Sequence, residues 1–321
     1  MCKSILVAKN LKKHYPLKTS GFSRRQGVVL AVDGVSLEVQ RVEVFGLVGE
    51  SGCGKSTLGR VLLRLEEPTS GRVFFEGQDI GSFEAERLKQ FRREATIIYQ
   101  DPYSALDPRQ KIGRLIEEPL VIHRMGDARE RRERVDSLLK MVGLLPEHAQ
   151  RYPHEFSGGQ RQRIVIARAL ALQPRLVIAD EPVSALDVSI QAQIINLLEE
   201  LQAQFGLTYL FISHDLSVVE YIADRVGVMY LGKIVELAPK RDFYNRPSHP
   251  YSLALLSAAP VPDPTFEKRR IILKGDVPSP VDPPSGCPFH PRCPEHQAIC
   301  STEVPVLKEL SPGHWVSCHL R

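Results

Sequence analysis

The stretch Gly49-Glu50-Ser51-Gly52-Cys53-Gly54-Lys55-Ser56-Thr57 carries the densest chemistry in this chain. Two glycines with four residues between them, followed by Lys and Ser, give the spacing of a phosphate loop. Glycines let the backbone turn so tightly that several amide N–H groups converge on one concavity. The start of a helix adds partial positive charge for the phosphates. In such a loop Lys55 reaches the β- and γ-phosphates of a nucleotide, and the Ser56 hydroxyl ligates Mg²⁺. Glycine-rich turns without a ligand are common. Here an apolar strand pattern ends at Val48 and a helical pattern begins near Lys55, which is the context the loop requires.

Other polar residues sit where strands should end. Leu176-Val177-Ile178-Ala179 leads into Asp180 and Glu181. An Asp at the carboxyl end of a strand lies at the rim where open α/β sheets bind ligands, and can hold Mg²⁺. Glu181 follows at once and can polarise the water that attacks a γ-phosphate. A solvated acidic turn is the plainer reading of this pair taken alone. His214, after a strand ending at Ser213, suits contact with the γ-phosphate, although a lone histidine is more often structural. Gln100, after Ile97-Ile98-Tyr99, can reach both Mg²⁺ and the attacking water, or merely end a strand. Tyr15 is a candidate platform for a stacked base, or an ordinary exposed tyrosine.

A second helix start, Ser157-Gly158-Gly159-Gln160, offers an N-cap serine and two glycines that permit close backbone approach. Alone it reads as a plain helix cap. With one phosphate loop and two anion-binding elements in the chain, a head-to-tail dimer becomes the economical arrangement. Ser157–Gln160 of one subunit would then close on the nucleotide held by the other.

The elements that must position these groups are legible as well. Val44–Val48, Ala95–Tyr99, Leu176–Ala179 and Thr208–Ile212 are short apolar runs typical of buried parallel strands. Helical patterns cover Lys55–Leu65, Gln160–Leu172 and Ser189–Phe205, so the alternation predicts an α/β core. Residues 101–160 carry no strand pattern and include a charged helix candidate at Arg129–Val142, so they are read as a mainly helical insert. Of 24 prolines, 15 lie from Pro239 to Pro312, which predicts a tail of loops and turns. The 321 residues are 43% hydrophobic and 25% charged, which excludes a wholly disordered chain. A net charge of +4 is too mild to imply a nucleic-acid binder. No run approaches the roughly 18 apolar residues of a membrane helix. No secretory signal opens the sequence, so an intracellular protein is expected. The tail holds Cys287, Cys293, Cys300 and Cys318, whereas Cys2 and Cys53 stand apart and are not assigned as ligands. Inside a cell disulfides are disfavoured, and four thiolates can hold a [4Fe–4S] cluster or Zn²⁺, or stay reduced.

Taken together these motifs resemble the ABC ATPase family. The phosphate loop, Gln100, Phe156-Ser157-Gly158-Gly159-Gln160, Leu176–Glu181, Ser184-Ala185-Leu186-Asp187 and Ser213-His214-Asp215 occur in that family's order over roughly residues 5–235. The resemblance implies ATP as the nucleotide, with Tyr15 on adenine and Glu181 as catalytic base. His214 would be the switch histidine, and Asp187 would join Ser157–Gln160 at the subunit interface. Tyr152–Arg163, Ala179–Ser189, His249-Pro250-Tyr251-Ser252 and Pro283–Cys293 extend the likeness to the ATP-binding subunits of bacterial dipeptide and oligopeptide importers. The segment Leu11–Tyr15, with its 16-residue gap to Val32, points to the dipeptide branch. Two small departures, Val42 before Glu43 and Phe156 in place of Leu, remove no group that touches nucleotide.

That closer resemblance implies a [4Fe–4S] cluster on the four tail cysteines, ahead of zinc, as a structural staple. It also implies an ATPase domain over 1–240, its helical subdomain at about 101–160, and an importer-type extension over 241–321. The implied assembly has a second homologous ATPase subunit, two membrane permease subunits and an extracytoplasmic solute-binding protein. This chain would sit peripherally at the cytoplasmic face of the bacterial inner membrane, and no nucleic acid is expected. Relatives carry nickel, glutathione and other small solutes. Two rival classes remain, a soluble ABC ATPase acting on DNA or ribosomes and an iron–sulfur regulatory protein that merely binds nucleotide. The absence of a concentrated basic patch beyond Arg129–Arg134 argues against the first, and intact Glu181 and His214 against the second.

Overall fold

Strands buried on both faces read as unbroken apolar runs, whereas strands with one wet face alternate. Both kinds occur here. The computed structural model describes residues 4–17, 27–259 and 270–321. It begins with β1 (Ser4–Pro16), β2 (Val28–Gln40), β3 (Val44–Val48), α1 (Lys55–Leu62), β4 (Ser70–Phe75) and β5 (Gln78–Asp79). The middle of the chain forms α2 (Ala85–Glu94), β6 (Ala95–Ile98), α3 (Pro102–Ala105), α4 (Ile112–Ile122), α5 (Ala128–Met141) and α6 (Gly158–Ala169). Then come β7 (Leu176–Asp180), α7 (Val188–Phe205) and β8 (Thr208–Ser213). The last part supplies α8 (Leu216–Ile222), β9 (Arg225–Tyr230), β10 (Lys233–Pro239), α9 (Lys240–Asn245) and α10 (Pro250–Ala258). It ends in α11 (Ala298–Thr302), β11 (Lys308–Ser311) and β12 (His314–Val316). The chain divides into two compact units, Met1–Gly81 with Ser213–Arg321, and Ser82–Ile212.

The unit Ser82–Ile212 is built on parallel strands. β7 lies between β6 and β8, with Ile178 opposite both Ile97 and Leu210. All five residues of β7 are buried, as its unbroken apolar run requires. Between Asp101 and Gln160 the described residues form helices and turns without a strand. α5 starts at a capping box between Asp127 and Glu130 and buries Val135, Leu138 and Leu139, while Arg129 and Arg132 are exposed.

The other unit carries a four-stranded antiparallel sheet in the order β2-β1-β4-β5. Along β2, Val35, Leu37 and Val39 are buried while Ser36 and Glu38 are exposed. That period-two alternation fixes which face turns to the core. In the same unit β3 pairs in parallel with β9, and β9 pairs antiparallel with β10. The α/β class therefore holds, with an antiparallel layer that the apolar runs alone did not reveal.

The tail differs from the expected loops and turns. β12 pairs with β10 through Glu236 opposite Val316 and Leu237 opposite Trp315, and β11 pairs with β12. A buried polar cluster fastens this addition. The fully buried Glu236 carboxylate accepts the N–H groups of Ser248 (2.8 Å) and His249 (2.9 Å). It also lies 2.7 Å from His314 Nε2. Burial alone would raise its pKa, but the hydrogen bonds led by His314 outweigh that and hold it below the ordinary value. His249 Nδ1 accepts the Tyr251 N–H (3.0 Å) at the start of α10, and burial pushes this imidazole down to about 4. No helix among the described residues is long and apolar enough to cross a membrane.

A pH dependence follows. A folded state that keeps His249 neutral binds fewer protons than the unfolded chain, whose histidine titrates near its ordinary 6.5. Stability should fall as pH drops from about 6.5 to about 4, by on the order of 3 kcal/mol, since each pH step of one between those two values removes about 1.36 kcal/mol. His249→Asn, which can still cap α10, should flatten that slope in melts between pH 7 and pH 4. An unchanged slope would remove His249 as its source.

Candidate functional site

The phosphate-loop residues lie in the unit that contains β3. β3 ends at Val48, and the chain turns through Gly49–Gly54 into α1. Gly49 has φ +154 and Gly54 has φ +107. A Cβ at Gly49 would lie 2.2 Å from the Met229 carbonyl, and one at Gly54 2.0 Å from that of Ala31. No other residue type fits either position. Gly54 is the N-cap of α1 and no side chain caps that helix. Its first amides lack helical partners by geometry and are aimed at the loop's concavity. The buried Lys55 ammonium donates to the Gly49 carbonyl (2.8 Å) and the Glu50 carbonyl (3.2 Å), which holds it inside its own loop. Cys53 Sγ lies 3.9 Å from Lys55 Nζ, and burial pushes that thiol up, so it is a packing group here. Ser56 and Thr57 are half-buried in the first turn of α1, while Ser51 and Gly52 are exposed.

Tyr15 stands near the end of β1, opposite Val29 of β2. Its hydroxyl donates to the Glu66 carboxylate, and Lys13 Nζ lies 4.9 Å from its ring centroid. Burial, then Glu66, raises its pKa, and the Thr57 side chain also reaches its hydroxyl. The proposed base platform and the phosphate loop are thus neighbours. His214 is exposed just after β8, and Asp215 next to it caps α8 by accepting the Ser217 N–H (2.8 Å).

The acidic candidates and the Ser157 helix start lie in the unit Ser82–Ile212. Asp180 is 3% exposed at the end of β7. Glu181 follows with φ +48, a left-handed backbone that costs of order 1 kcal/mol or more for a residue with a Cβ. It is held there by its N–H to the Ile212 carbonyl (2.9 Å) and by its carbonyl, which accepts the Ser184 hydroxyl (3.1 Å). Gln100 Nε2 donates to Glu181 Oε2 (3.0 Å). Two residues that are 81 positions apart in the sequence therefore meet at the ends of β6 and β7.

Ser157 is indeed an N-cap. Its hydroxyl accepts the Gln160 N–H (3.3 Å), and Gln160 Oε1 accepts the Ser157 N–H (3.1 Å). A Cβ at Gly159 would lie 2.5 Å from Ile190 Cγ2, so this glycine already serves the packing of α6 on α7. Arg161 anchors the preceding turn through the Pro153 carbonyl (2.7 Å) and lies over the Tyr103 ring at 4.0 Å. Asp187 is the N-cap residue of α7, yet its side chain makes no cap hydrogen bond and is exposed.

The cluster expected on the four tail cysteines finds no support among the described residues. Cys287 and Cys300 are buried, Cys293 and Cys318 half-buried, and all four are free thiols. They lie in one region, since the Cys287 N–H donates to the Cys300 carbonyl (2.8 Å). Yet among the described residues no group of three or more His, Cys, Asp or Glu is arranged to hold a metal ion. Burial raises the Cys287 thiol and pushes Cys293 up to about 11, and neighbouring thiols add to both. Cys2 lies outside the described residues. Sequence reading also missed two residues at the phosphate loop, Tyr251 and Arg292, which touch Glu50 directly.

Residues 32–184 match a family model described as ABC transporter, and residues 235–300 match one described as oligopeptide/dipeptide transporter, C-terminal region. The chain is 56% identical over 320 residues to the oligopeptide transport ATP-binding protein AppF of Bacillus subtilis, covering 99% of this chain and 97% of that one. It is 53% identical over 321 residues to the probable peptide ABC transporter ATP-binding protein y4tS of Sinorhizobium fredii, covering 100% and 91%. Among solved structures it is similar to the ATP-binding cassette MJ0796 bound to ADP and Pi in a dimeric post-hydrolysis state. There the TM-score is 0.64 at 30% identity, over 74% of this chain and 99% of that chain. For cbiO1 of Clostridium perfringens, part of the ABC transporter complex cbiONQ, the TM-score is 0.64 at 28% identity, over 76% and 92%.

The close packing at Gly159 can be tested. Gly159→Ala should destabilise the protein by about 1–3 kcal/mol in denaturant unfolding, the usual cost of overpacking. Adding Ile190→Ala removes the atom met by the new methyl, so the double variant should be more stable than the sum of the two single losses. Strict additivity would show that the contact is not the cause.

Proposed function

The chain belongs to the ABC transporter ATP-binding family, and on that premise we propose that it powers uptake of dipeptides or oligopeptides by hydrolysing ATP for a membrane importer. Residues 1–240 are read as the motor domain and 241–321 as the importer-type extension. Amides of Gly49–Gly54 and the Lys55 ammonium bind the phosphates, and Tyr15 stacks on adenine. Ser56, Asp180 and Gln100 hold Mg²⁺, which when bound neutralises phosphate charge as it develops.

The observation that carries the reading is the Gln100–Glu181 hydrogen bond at a residue held in a strained backbone. A carboxylate fixed in this way, with an amide beside it, is a group positioned to align a water. The water oxygen forms a bond to the γ-phosphorus as the bond to the β–γ bridging oxygen breaks. Glu181 takes the water's proton, and the products are ADP and phosphate. His214 stabilises the γ-phosphate.

Each pocket is completed by Ser157–Gln160 and Asp187 of a second, homologous ATPase subunit. The exposed Asp187 carboxylate, unused by its own helix, is suited to that neighbour. ATP favours the closed dimer because it touches both subunits, and hydrolysis removes that preference. Two permease subunits receive the motion, a solute-binding protein delivers the peptide, and this chain sits peripherally at the cytoplasmic face of the inner membrane. No step is assigned to the thiols of Cys287, Cys293, Cys300 and Cys318, which serve the packing of the tail.

Glu181→Gln should lower steady-state ATP hydrolysis by the assembled transporter by about 10²-fold or more while MgATP binding persists. The variant should accumulate as an ATP-bound dimer on size exclusion. Turnover at the normal rate would remove Glu181 from the role of base.

A further inference from the structure

Of the two charged residues in the phosphate loop, Lys55 faces its own loop and Glu50 is gripped from the C-terminal extension. Arg292 Nη1 donates to Glu50 Oε2 at 2.8 Å and Nη2 to Oε1 at 3.2 Å. The Glu50 main chain is held as well. Its N–H donates to the Tyr251 hydroxyl (2.9 Å), and its carbonyl accepts from Lys55 (3.2 Å) and from the Cys53 N–H (3.3 Å). Side chain and backbone of one loop residue are therefore fixed by two residues more than two hundred positions away.

The grip has a built support. Phe289 is 1% exposed, with ring centroids 5.3 Å from Tyr230 and 5.4 Å from Tyr251. A single 3₁₀ turn, His290–Arg292, then brings the guanidinium to Glu50. The Tyr230 hydroxyl lies beside it. The Arg292 side chain is only 8% exposed, and its Nε is buried without a hydrogen-bond partner. A buried donor left without a partner is destabilising. The contact is therefore poorly explained as a device for stability alone. A two-pronged arginine–carboxylate contact specifies geometry as well as energy, and lysine cannot reproduce it.

We propose that Arg292 is a positioning residue for the nucleotide site: by gripping Glu50 it sets the conformation of the phosphate loop, so that docking of the C-terminal extension governs how tightly the loop binds ATP. The inference rests on the reading of Gly49–Thr57 as the ATP site. Amides that must converge on phosphate oxygens tolerate little displacement, because an error of about 1 Å in a positioned group can cost on the order of 10²-fold.

The test is MgATP binding to the full-length protein by calorimetry, far below its unfolding temperature. Arg292→Met and Glu50→Gln should each weaken binding about tenfold or more, while Arg292→Lys recovers only part of the loss. Exchanging the charges, Glu50→Arg with Arg292→Glu, should restore binding relative to either exchanged residue alone. An arginine with a merely structural role would lower the unfolding temperature and leave the affinity of the folded protein unchanged. Binding by Arg292→Met and Glu50→Gln within about twofold of the wild type would overturn the proposal. If Arg292→Met does not fold, Glu50→Gln decides, since it keeps the shape of the side chain. Failure of the wild type to bind MgATP would instead overturn the reading of the loop as an ATP site.

Discussion

A loop that holds an oligophosphate by its backbone amides must be rigid before the ligand arrives, because amides cannot be re-aimed by rotating a side chain. Here the rigidity comes from contact between main chains. The carbonyls of Met229 and Ala31 approach Gly49 and Gly54 so closely that a methyl group would collide with either. β9 and β2, which carry those two carbonyls, are thereby tied to the geometry of the loop. The parallel pairing of β3 with β9 keeps Met229 in place, and the long β1–β2 ribbon positions Ala31 together with Tyr15.

The acidic half follows a different rule. Its carboxylates are placed at the ends of parallel strands, the rim at which open α/β sheets bind ligands. Glu181 departs from strand geometry altogether, and its left-handed backbone is held by hydrogen bonds to Ile212 and Ser184. Local strain sustained by surrounding contacts is a common mark of a reactive position. The sequence Asp180-Glu181 thus provides one residue that continues its strand and one whose backbone turns away from it.

How much of this could be read from the sequence depends on the range of the interaction. The phosphate loop, the buried strands Val44–Val48 and Leu176–Asp180, and the cap at Ser157 are local patterns, and each was legible. The β1–β2 ribbon was not singled out, and its pairing, interrupted by register shifts, links residues far apart in sequence. The strands of the tail were hidden by proline-rich surroundings, because three residues, His314–Val316, are too few to show a period. The contact of Arg292 with Glu50 spans 242 positions, and no local rule connects them. The cysteines are a related case: spacing reports how thiols follow one another along the chain, whereas ligation depends on how they converge in space.

One feature of the tail bears on how the molecule behaves in a crowded solution. β10 would otherwise offer an unpaired row of main-chain donors and acceptors, a template on which another chain can add itself. β12 occupies that row. The new border of the sheet is β11, four residues long, exposed throughout, and charged at Lys308 and Glu309. So short and hydrated a margin gives a foreign strand little to zip onto, and the C-terminal hairpin acts as a selvedge that keeps the sheet from growing into a fibre.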